Sequence, residues 1–123
     1  VKVSDGDKSD MAMVSLSVTP VNDALVINDV SDATATEETS FSTSVSWTDV
    51  DGAGADSYAV NLAGEASNWL AAGAVAHDAD SGVYSALISG TPDDENLYQN
   101  DLSVSVIDNS EGSRSYLSHM ECI

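Results

Sequence analysis

The chain has 123 residues, of which 21 are Asp or Glu and only 3 are Lys or Arg, giving a formal net charge of −18. This charge excludes nucleic-acid binding, because phosphate contacts need Lys and Arg, and it disfavours an anionic membrane surface. Hydrophobic residues make up 42% of the chain, enough for a folded core. The charge leaves two interpretations: a surface that binds metal cations, or a salt-adapted, strongly solvated surface.

The apolar runs are all shorter than the roughly 18 residues that a membrane-spanning helix needs, so we expect no membrane insertion. The single cysteine, Cys122, excludes an intrachain disulfide, and its role is open. A secreted domain without disulfides would be held together by its core and by bound ions. The polar start is unlike a signal peptide, and both ends fall within strand patterns. We therefore expect a fragment of a larger protein.

The two ends of the chain resemble each other. Val1–Asp7 is similar to Val104–Ser110, and each is followed by a polar turn and a second strand-like run, at Met11–Val18 and Ser115–Ile123. The simplest interpretation is a tandem array of repeats.

The tandem interpretation divides the chain into three parts. Residues 1–19 are the C-terminal hairpin of a preceding repeat, residues 20–25 are a linker, and residues 26–123 form one β-sandwich repeat. In the alternative, residues 1–19 are extra edge strands of the same sandwich. An arm without its own sheet is also expected to fray or to exchange between copies, which would give a strand-exchanged homodimer.

Period-two alternation dominates the rest of the chain and predicts β-strands. Serine and threonine alternate with apolar residues, as in an antiparallel sheet with one solvated face. No long helix is predicted, although the alanine-rich segment Asn68–Ala76 could form one helical turn. Several short strands bounded by turn residues indicate an all-β sandwich. The clearest alternating runs are Phe41–Thr48, Tyr58–Leu62, Tyr84–Ser89 and Leu102–Val106.

Acidic residues concentrate where these strands should turn. The runs Asn22-Asp23, Asp49-Val50-Asp51-Gly52 and Asp93-Asp94-Glu95 each group oxygen donors within a few residues. A hard cation needs such donors, and Ca²⁺ is the natural candidate. The alternative is that these acids are solvated turn residues or Asx turns, because Asp and Asn favour turns for conformational reasons.

Four motifs, in order, resemble bacterial cadherin-like repeats. Val18–Ala24 resembles their linker, Thr34–Thr39 the acidic segment before their second strand, and Asp49–Gly52 their Asp-x-Asp-Gly loop. Ser89–Pro92, followed by Leu102–Asp108, resembles the later half of dystroglycan-type cadherin-like and immunoglobulin-like repeats. The resemblance implies an all-β, Greek-key immunoglobulin/cadherin-like β-sandwich of about seven strands. Such repeats lie in tandem in large secreted or surface bacterial proteins, bind Ca²⁺ at repeat junctions, and serve adhesion or act as spacers.

The resemblance also implies two metal sites, one at each end of the sandwich. At the linker end, backbone carbonyls and water would complete the six to eight ligands that Ca²⁺ takes. The protein ligands implied there are Asn22, Asp23, Asp49, Asp51 and Asp108.

At the opposite end, Glu37 is the principal candidate, with Glu38, Asp94 and Glu95 as weaker ones, and the next repeat's linker would complete the site. Two departures from the family pattern affect these expectations. The linker lacks the proline that often follows the alanine, and the final strand, Tyr116–Ile123, alternates poorly with no second linker after it. The far-end site is therefore expected to be incomplete.

We predict a calcium-binding structural or adhesive repeat of a secreted or cell-surface protein, with neighbouring repeats and a surface protein or carbohydrate as partners. No nucleophile–base pairing is evident, and His77 and His119 lie in no metal-spacing motif, so we do not expect an enzyme. The alternative is a carbohydrate-binding accessory module of a secreted polysaccharide-degrading enzyme. That role needs an exposed aromatic platform, whereas Trp47 and Trp69 are expected in the core. Exposure of Trp69 or Tyr58 beside a polar groove would favour it.

Overall fold

A computed structural model describes residues 1–19, 21–28, 30, 32–52, 54–98, 101–109 and 112–122, the last range by its backbone only. The described residues form β-strands joined by turns and three short 3₁₀ segments, at Ala55–Ser57, Glu65–Asn68 and Asp94–Asn96. The strands are β1 Lys2–Ser4, β2 Ser9–Met11, β3 Val26–Ile27, β4 Ala33–Ala35, β5 Phe41–Thr48, β6 Tyr58–Ala63, β7 Leu70–Asp78, β8 Val83–Gly90, β9 Asp101–Asp108 and β10 Gly112–Cys122.

Two four-stranded sheets make up the sandwich, with strand orders β3-β5-β8-β7 and β4-β10-β9-β6. Strand β3 pairs with β5, whereas β4 pairs in parallel with β10 of the other sheet. The two are therefore halves of one first strand that changes sheet. Counted in this way, the sandwich has seven strands in the immunoglobulin/cadherin-like Greek-key arrangement, which confirms the predicted fold class.

The alternating sequence explains why the two sheets pack together. In β5, Val45 and Trp47 are fully buried, while the serines between the apolar residues lie on the outer face. Strand β9 contributes Leu102, Val104 and Val106 from the facing sheet, all essentially buried. Each strand thus places one face in the core and one in water, as the period of two requires. All four alternating runs predicted from the sequence lie within strands.

Strand β7 departs from the sequence-based expectation. The alanine-rich segment forms an edge strand from Leu70 to Asp78 rather than a helical turn, and the 3₁₀ segment ends just before it, at Asn68. The register of β7 against β8 shifts between Ala72 and Val75. Pairing with β8 overrides the helix preference of alanine here, because a strand that is already beside a partner gains ladder hydrogen bonds.

Residues 1–19 form an arm whose every residue is exposed. Strands β1 and β2 pair only with each other in a two-stranded sheet. The strand-like run predicted at Met11–Val18 ends as a strand at Met11, and residues 12–19 form none. A period-two pattern makes a strand only beside a partner strand, and the described part of the chain supplies none there.

The described residues also contain no helix long and apolar enough to cross a membrane.

Candidate functional site

The linker meets the sandwich at the end of β5. The main-chain N–H of Asp23 donates a hydrogen bond of 2.7 Å to Oδ2 of Asp51. Within the loop, the N–H of Asp51 donates to Oδ1 of Asp49 at 3.0 Å. The second bond is an Asx turn, the local structure that Asp favours after a strand. The loop thus fixes its own shape and also holds the linker.

A tyrosine connects this loop to the other sheet. The Tyr58 hydroxyl, at the start of β6, donates to Oδ2 of Asp49 at 2.7 Å. Tyr58 lies opposite Asp108 in the ladder between β6 and β9. Burial, followed by the hydrogen bond to the Asp49 carboxylate, raises the pKa of Tyr58 above its ordinary value, so this side chain stays a proton donor.

Asp108 is the one charged residue that is buried among those with described side chains, with 6% of its surface exposed. It ends β9, and the next N–H, of Asn109, donates to the carbonyl oxygen of Ser57 at 3.2 Å. Tyr58 is therefore close to two carboxylates, that of Asp49 in the loop after β5 and that of Asp108 at the end of β9. Three separate segments of the chain bring their acids to this end.

Glycine at position 52 is required by the close approach of two tyrosines. A Cβ atom there would lie 2.5 Å from the Tyr84 hydroxyl and 2.8 Å from the Tyr58 hydroxyl. The two rings are 4.6 Å apart and rest on Trp47 in the core. With glycine at position 52, the loop packs against the aromatic end of the core. A larger residue at this position would clash with the two tyrosine hydroxyls.

The other linker residue predicted as a ligand, Asn22, is partly buried. Its Nδ2 atom is enclosed without a hydrogen-bond partner. Rotation of the amide by half a turn would place Oδ1 there instead. The donors at this end, carboxylate and amide oxygens, fit Ca²⁺ in kind. Among the described residues, however, no three Asp, Glu, His or Cys side chains converge as a group that could hold a metal. Asp49 and Asp51 instead use their oxygens for the hydrogen bonds above.

At the opposite end, two predicted acidic loops also adjoin. The N–H of Glu38 donates to the carbonyl oxygen of Pro92 at 2.8 Å, and Glu38 has a left-handed backbone with φ of 55°. Asp93 caps the 3₁₀ segment that contains Asp94 and Glu95, accepting from the N–H of Glu95 at 3.1 Å. Glu37 is partly buried next to Glu38. A main-chain hydrogen bond thus joins the two loops, but the described residues show no metal-holding group there either.

The acidic hairpin at Asp78–Gly82 is a useful comparison because its acids have the same spacing as Asp49 and Asp51. The Ser81 hydroxyl donates to Oδ2 of Asp78 at 2.7 Å and lowers the pKa of that carboxyl. The N–H of Asp80 also donates to Asp78, at 3.0 Å. All of these bonds lie within one turn and reach no other segment. This geometry is that of a plain turn stabilised by its own side chains.

The aromatic side chains do not form an exposed platform at the positions considered from sequence. Trp47 is fully buried and Tyr58 is buried, whereas Trp69 is only partly exposed and packs edge-on against Phe41 at 6.0 Å. Tyr98, which is exposed, is the aromatic residue that stands free of the core among the described side chains. The sequence-based prediction did not include Tyr58 and Tyr84 among the residues at the linker end. The signal was present, because Tyr58 is in phase with the inward-facing Val60 and Leu62.

No protein-family model and no curated protein matches the chain. Among solved structures, the chain is similar to the SrpA adhesin from Streptococcus sanguinis, with 14% identity and a TM-score of 0.58, over 86% of this chain and 61% of that one. It is also similar to a structure named Rst D1-D2, with 16% identity and a TM-score of 0.48, over 83% of this chain and 49% of that one. The chain therefore spans less than two thirds of either neighbour. At this identity the SrpA match supports the fold alone, and the weaker match adds no argument.

Proposed function

We propose that this chain is a structural or adhesive repeat of a secreted or cell-surface protein, and that Ca²⁺ stiffens the joint between its linker and its sandwich. The observation that carries the proposal is the bond between Asp23 of the linker and Asp51 of the loop, at the end where Asp49 and Asp108 also lie. A cation at this end would act on the one joint that sets the direction of the preceding segment.

The ligands proposed are the carboxylates of Asp23, Asp49, Asp51 and Asp108 together with the amide oxygen of Asn22. When bound, Ca²⁺ would neutralise their mutual repulsion and draw three chain segments together. Because the described residues hold no ready-made group of three metal-ligating side chains, we propose that binding is weak, with Kd of about 10⁻⁴–10⁻³ M as in extracellular modules. A hundredfold excess over Kd would then stabilise the fold by about 2.7 kcal/mol.

Three further observations support a surface repeat. The SrpA protein, which shares the fold, is named an adhesin. The net charge of −18 keeps such a domain soluble while it selects cations over anions. Neither Trp69 nor Tyr58 offers the exposed platform that a carbohydrate-binding module would need. We therefore favour an adhesive or spacing role over the carbohydrate-binding alternative.

The test is a thermal melt in EDTA, in millimolar CaCl₂, and in MgCl₂ at matched ionic strength. The key variant carries Asp49→Asn and Asp51→Asn, which remove two charges but keep an oxygen acceptor at each position. The matched control carries Asp78→Asn and Asp80→Asn, which remove the same charge from a turn of the same spacing. We expect a rise in Tm specific to Ca²⁺ that is lost in the first variant only.

Either of two results would count against this mechanism. An equal rise with both salts would mean that ions merely screen the −18 surface. A Ca²⁺-specific rise that survives Asp49→Asn with Asp51→Asn would place the cation elsewhere on the chain.

A further inference from the structure

The exposed arm ends in a run that has the pattern of a strand but no partner. From position 14 the residues alternate strictly, with Val14, Leu16 and Val18 apolar and Ser15, Ser17 and Thr19 polar. Leu16 is 86% exposed and its two apolar neighbours are similarly open. These three aliphatic side chains would share one face of a strand, and all three are exposed in this structure, which is unusual for a folded domain.

The sandwich has an edge that leaves apolar side chains incompletely covered. Strand β6 ends its sheet and pairs with β9 on one side, and no other described strand pairs with it. Its inward-facing Val60 and Leu62 pack on the core but remain partly exposed, as does Val75 of the neighbouring edge strand β7. An open edge of this kind offers main-chain hydrogen-bonding groups together with apolar surface.

The arm and the β6 edge match in length and in face pattern. Residues 14–18 and 58–62 are both five residues long, and both alternate apolar with small or polar side chains, beginning and ending on an apolar one. Full antiparallel overlap places Leu16 opposite Val60 on the core side. It also places Ser17 opposite Ala59 on the outer side. A shift by one residue would turn the arm's aliphatic side chains into water, so the face pattern restricts the register.

Charge favours the same pairing. The chain has a net charge of −18, so most surfaces of two copies repel each other. Residues 11–19 and 58–63 contain no charged residue. The arm and the β6 edge can therefore meet without placing one carboxylate opposite another.

We propose that residues 11–19 bind as an added antiparallel strand along the β6 edge of a second copy of this chain. The geometry favours a β6 edge from a second copy over the β6 edge of the same copy. Within one copy every residue of the arm is exposed, and Asp23 holds the linker at Asp51 so that the arm leaves the sandwich. This pairing does not depend on Ca²⁺, so it stands or falls separately from the proposed function.

Disulfide trapping tests the pairing directly, in a Cys122→Ser background that removes the native thiol. Two single variants, Ser17→Cys and Ala59→Cys, are mixed in EDTA under mild oxidation. Opposite residues in an antiparallel ladder have Cα atoms about 4.5–5.5 Å apart, within the range that a disulfide bridges. We expect a disulfide-linked heterodimer. The matched control replaces Ala59→Cys by Ala76→Cys, which is also an exposed alanine, on β7.

Two results of the trapping experiment would overturn the proposal. Equal linking to positions 59 and 76 would show random collision. A double variant, Ser17→Cys with Ala59→Cys, that closes within one chain while the mixed single variants stay unlinked would show that the arm folds back onto its own β6.

Sedimentation of the unmodified chain in EDTA gives an independent measure. We expect a concentration-dependent dimer that is favoured by NaCl, because salt screens the repulsion between copies. Leu16→Asp should weaken dimerisation about 100-fold, since it would bury an unpaired carboxylate. Leu87→Asp adds the same charge at a residue that is 53% exposed on the outer face of β8, away from the arm and the β6 edge, and should leave the dimer intact. A monomer at every salt and protein concentration, or the same dimer in Leu16→Asp, would refute the pairing.

Discussion

The main-chain N–H of Asp23 donates a 2.7 Å hydrogen bond to the carboxylate of Asp51, 28 positions further along the chain. This bond ties the segment that leads into the sandwich to the loop that follows β5. The same loop is tied to the facing sheet through the bond from Tyr58 to Asp49. The direction of the linker is thus set by a short series of hydrogen bonds that ends in the core.

Removing the Asp51 side chain should release the linker. Asp51→Ala deletes the acceptor for the Asp23 N–H and should speed amide exchange at Asp23, while the stability of the sandwich falls by about 1 kcal/mol. Hydrogen exchange measured by NMR would show the local effect. Asp80→Ala removes an acid of the same spacing from the β7–β8 turn and should leave exchange at Asp23 unchanged. Unaltered exchange at Asp23 in Asp51→Ala would show that the linker is held by other contacts.

Tyr58 should make the fold sensitive to alkaline pH. Because the pKa of Tyr58 is raised in the folded state, its contribution to stability is complete below its unfolded-state value of about 10 and is lost as pH rises above it. The free energy of unfolding should fall by up to about 1.4 kcal/mol per pH unit in that range. Urea titrations between pH 8 and 11 would measure the slope.

The control for this pH dependence is Tyr58→Phe, which has no proton to lose. It should be less stable by about 1 kcal/mol at neutral pH because the bond to Asp49 is gone, and its slope above pH 10 should be smaller. Equal slopes in the two proteins would show that other groups cause the alkaline loss.

Gly52 should not tolerate a side chain. Gly52→Ala would place a methyl group against the hydroxyls of Tyr84 and Tyr58 and should cost about 1–3 kcal/mol through overpacking. Gly73→Ala is the matched control, because a Cβ there meets its nearest atom, the Leu87 carbonyl oxygen, at an ordinary 3.4 Å. Chemical denaturation of both variants, and of Gly52→Ala combined with Tyr84→Phe, would test the clash. A stability loss as large in Gly73→Ala would mean that backbone flexibility matters more than space.

Truncation of two neighbouring residues of β8 should reduce stability by very different amounts. Ile88 is fully buried and Leu87 is 53% exposed on the outer face. Ile88→Ala should cost about 2–5 kcal/mol, because it leaves a cavity in the core. Leu87→Ala should change stability by less than about 1 kcal/mol. Comparable losses of stability at the two positions would contradict the assignment of Ile88 to the core face of β8 and of Leu87 to its outer face.

The fold was predictable because its main strands alternate strictly. Serine between apolar residues in Phe41–Thr48 leaves little choice of face, and Asp or Gly at the strand ends marks the turns. Strand β7 was not predictable in this way. Its alanines and Gly73 carry weak strand preference, and it becomes a strand because β8 supplies a partner.

The candidate site was predictable only in its location. The turn positions of Asp49, Asp51 and Asp108 follow from the strand pattern, and the meeting of linker and loop follows from the sandwich topology. The Asx turn at Asp49 was one of the alternatives open from sequence, whereas the bonds from Tyr58 to Asp49 and from Asp23 to Asp51 were not foreseen, because they join segments distant in sequence. Whether the acids bind Ca²⁺ is likewise a matter of side-chain geometry and affinity, so the ligand assignment stays a prediction.

The most direct measurement for the central claim is a CaCl₂ titration followed by ¹H–¹⁵N NMR, with MgCl₂ at matched ionic strength as the control. We predict saturable amide shifts, with Kd of about 10⁻⁴–10⁻³ M, confined to Asn22, Asp23, the Asp49–Gly52 loop and Asp108. Shifts of similar size with Mg²⁺, or shifts spread without saturation over all the acidic turns, would contradict a calcium-stiffened linker joint.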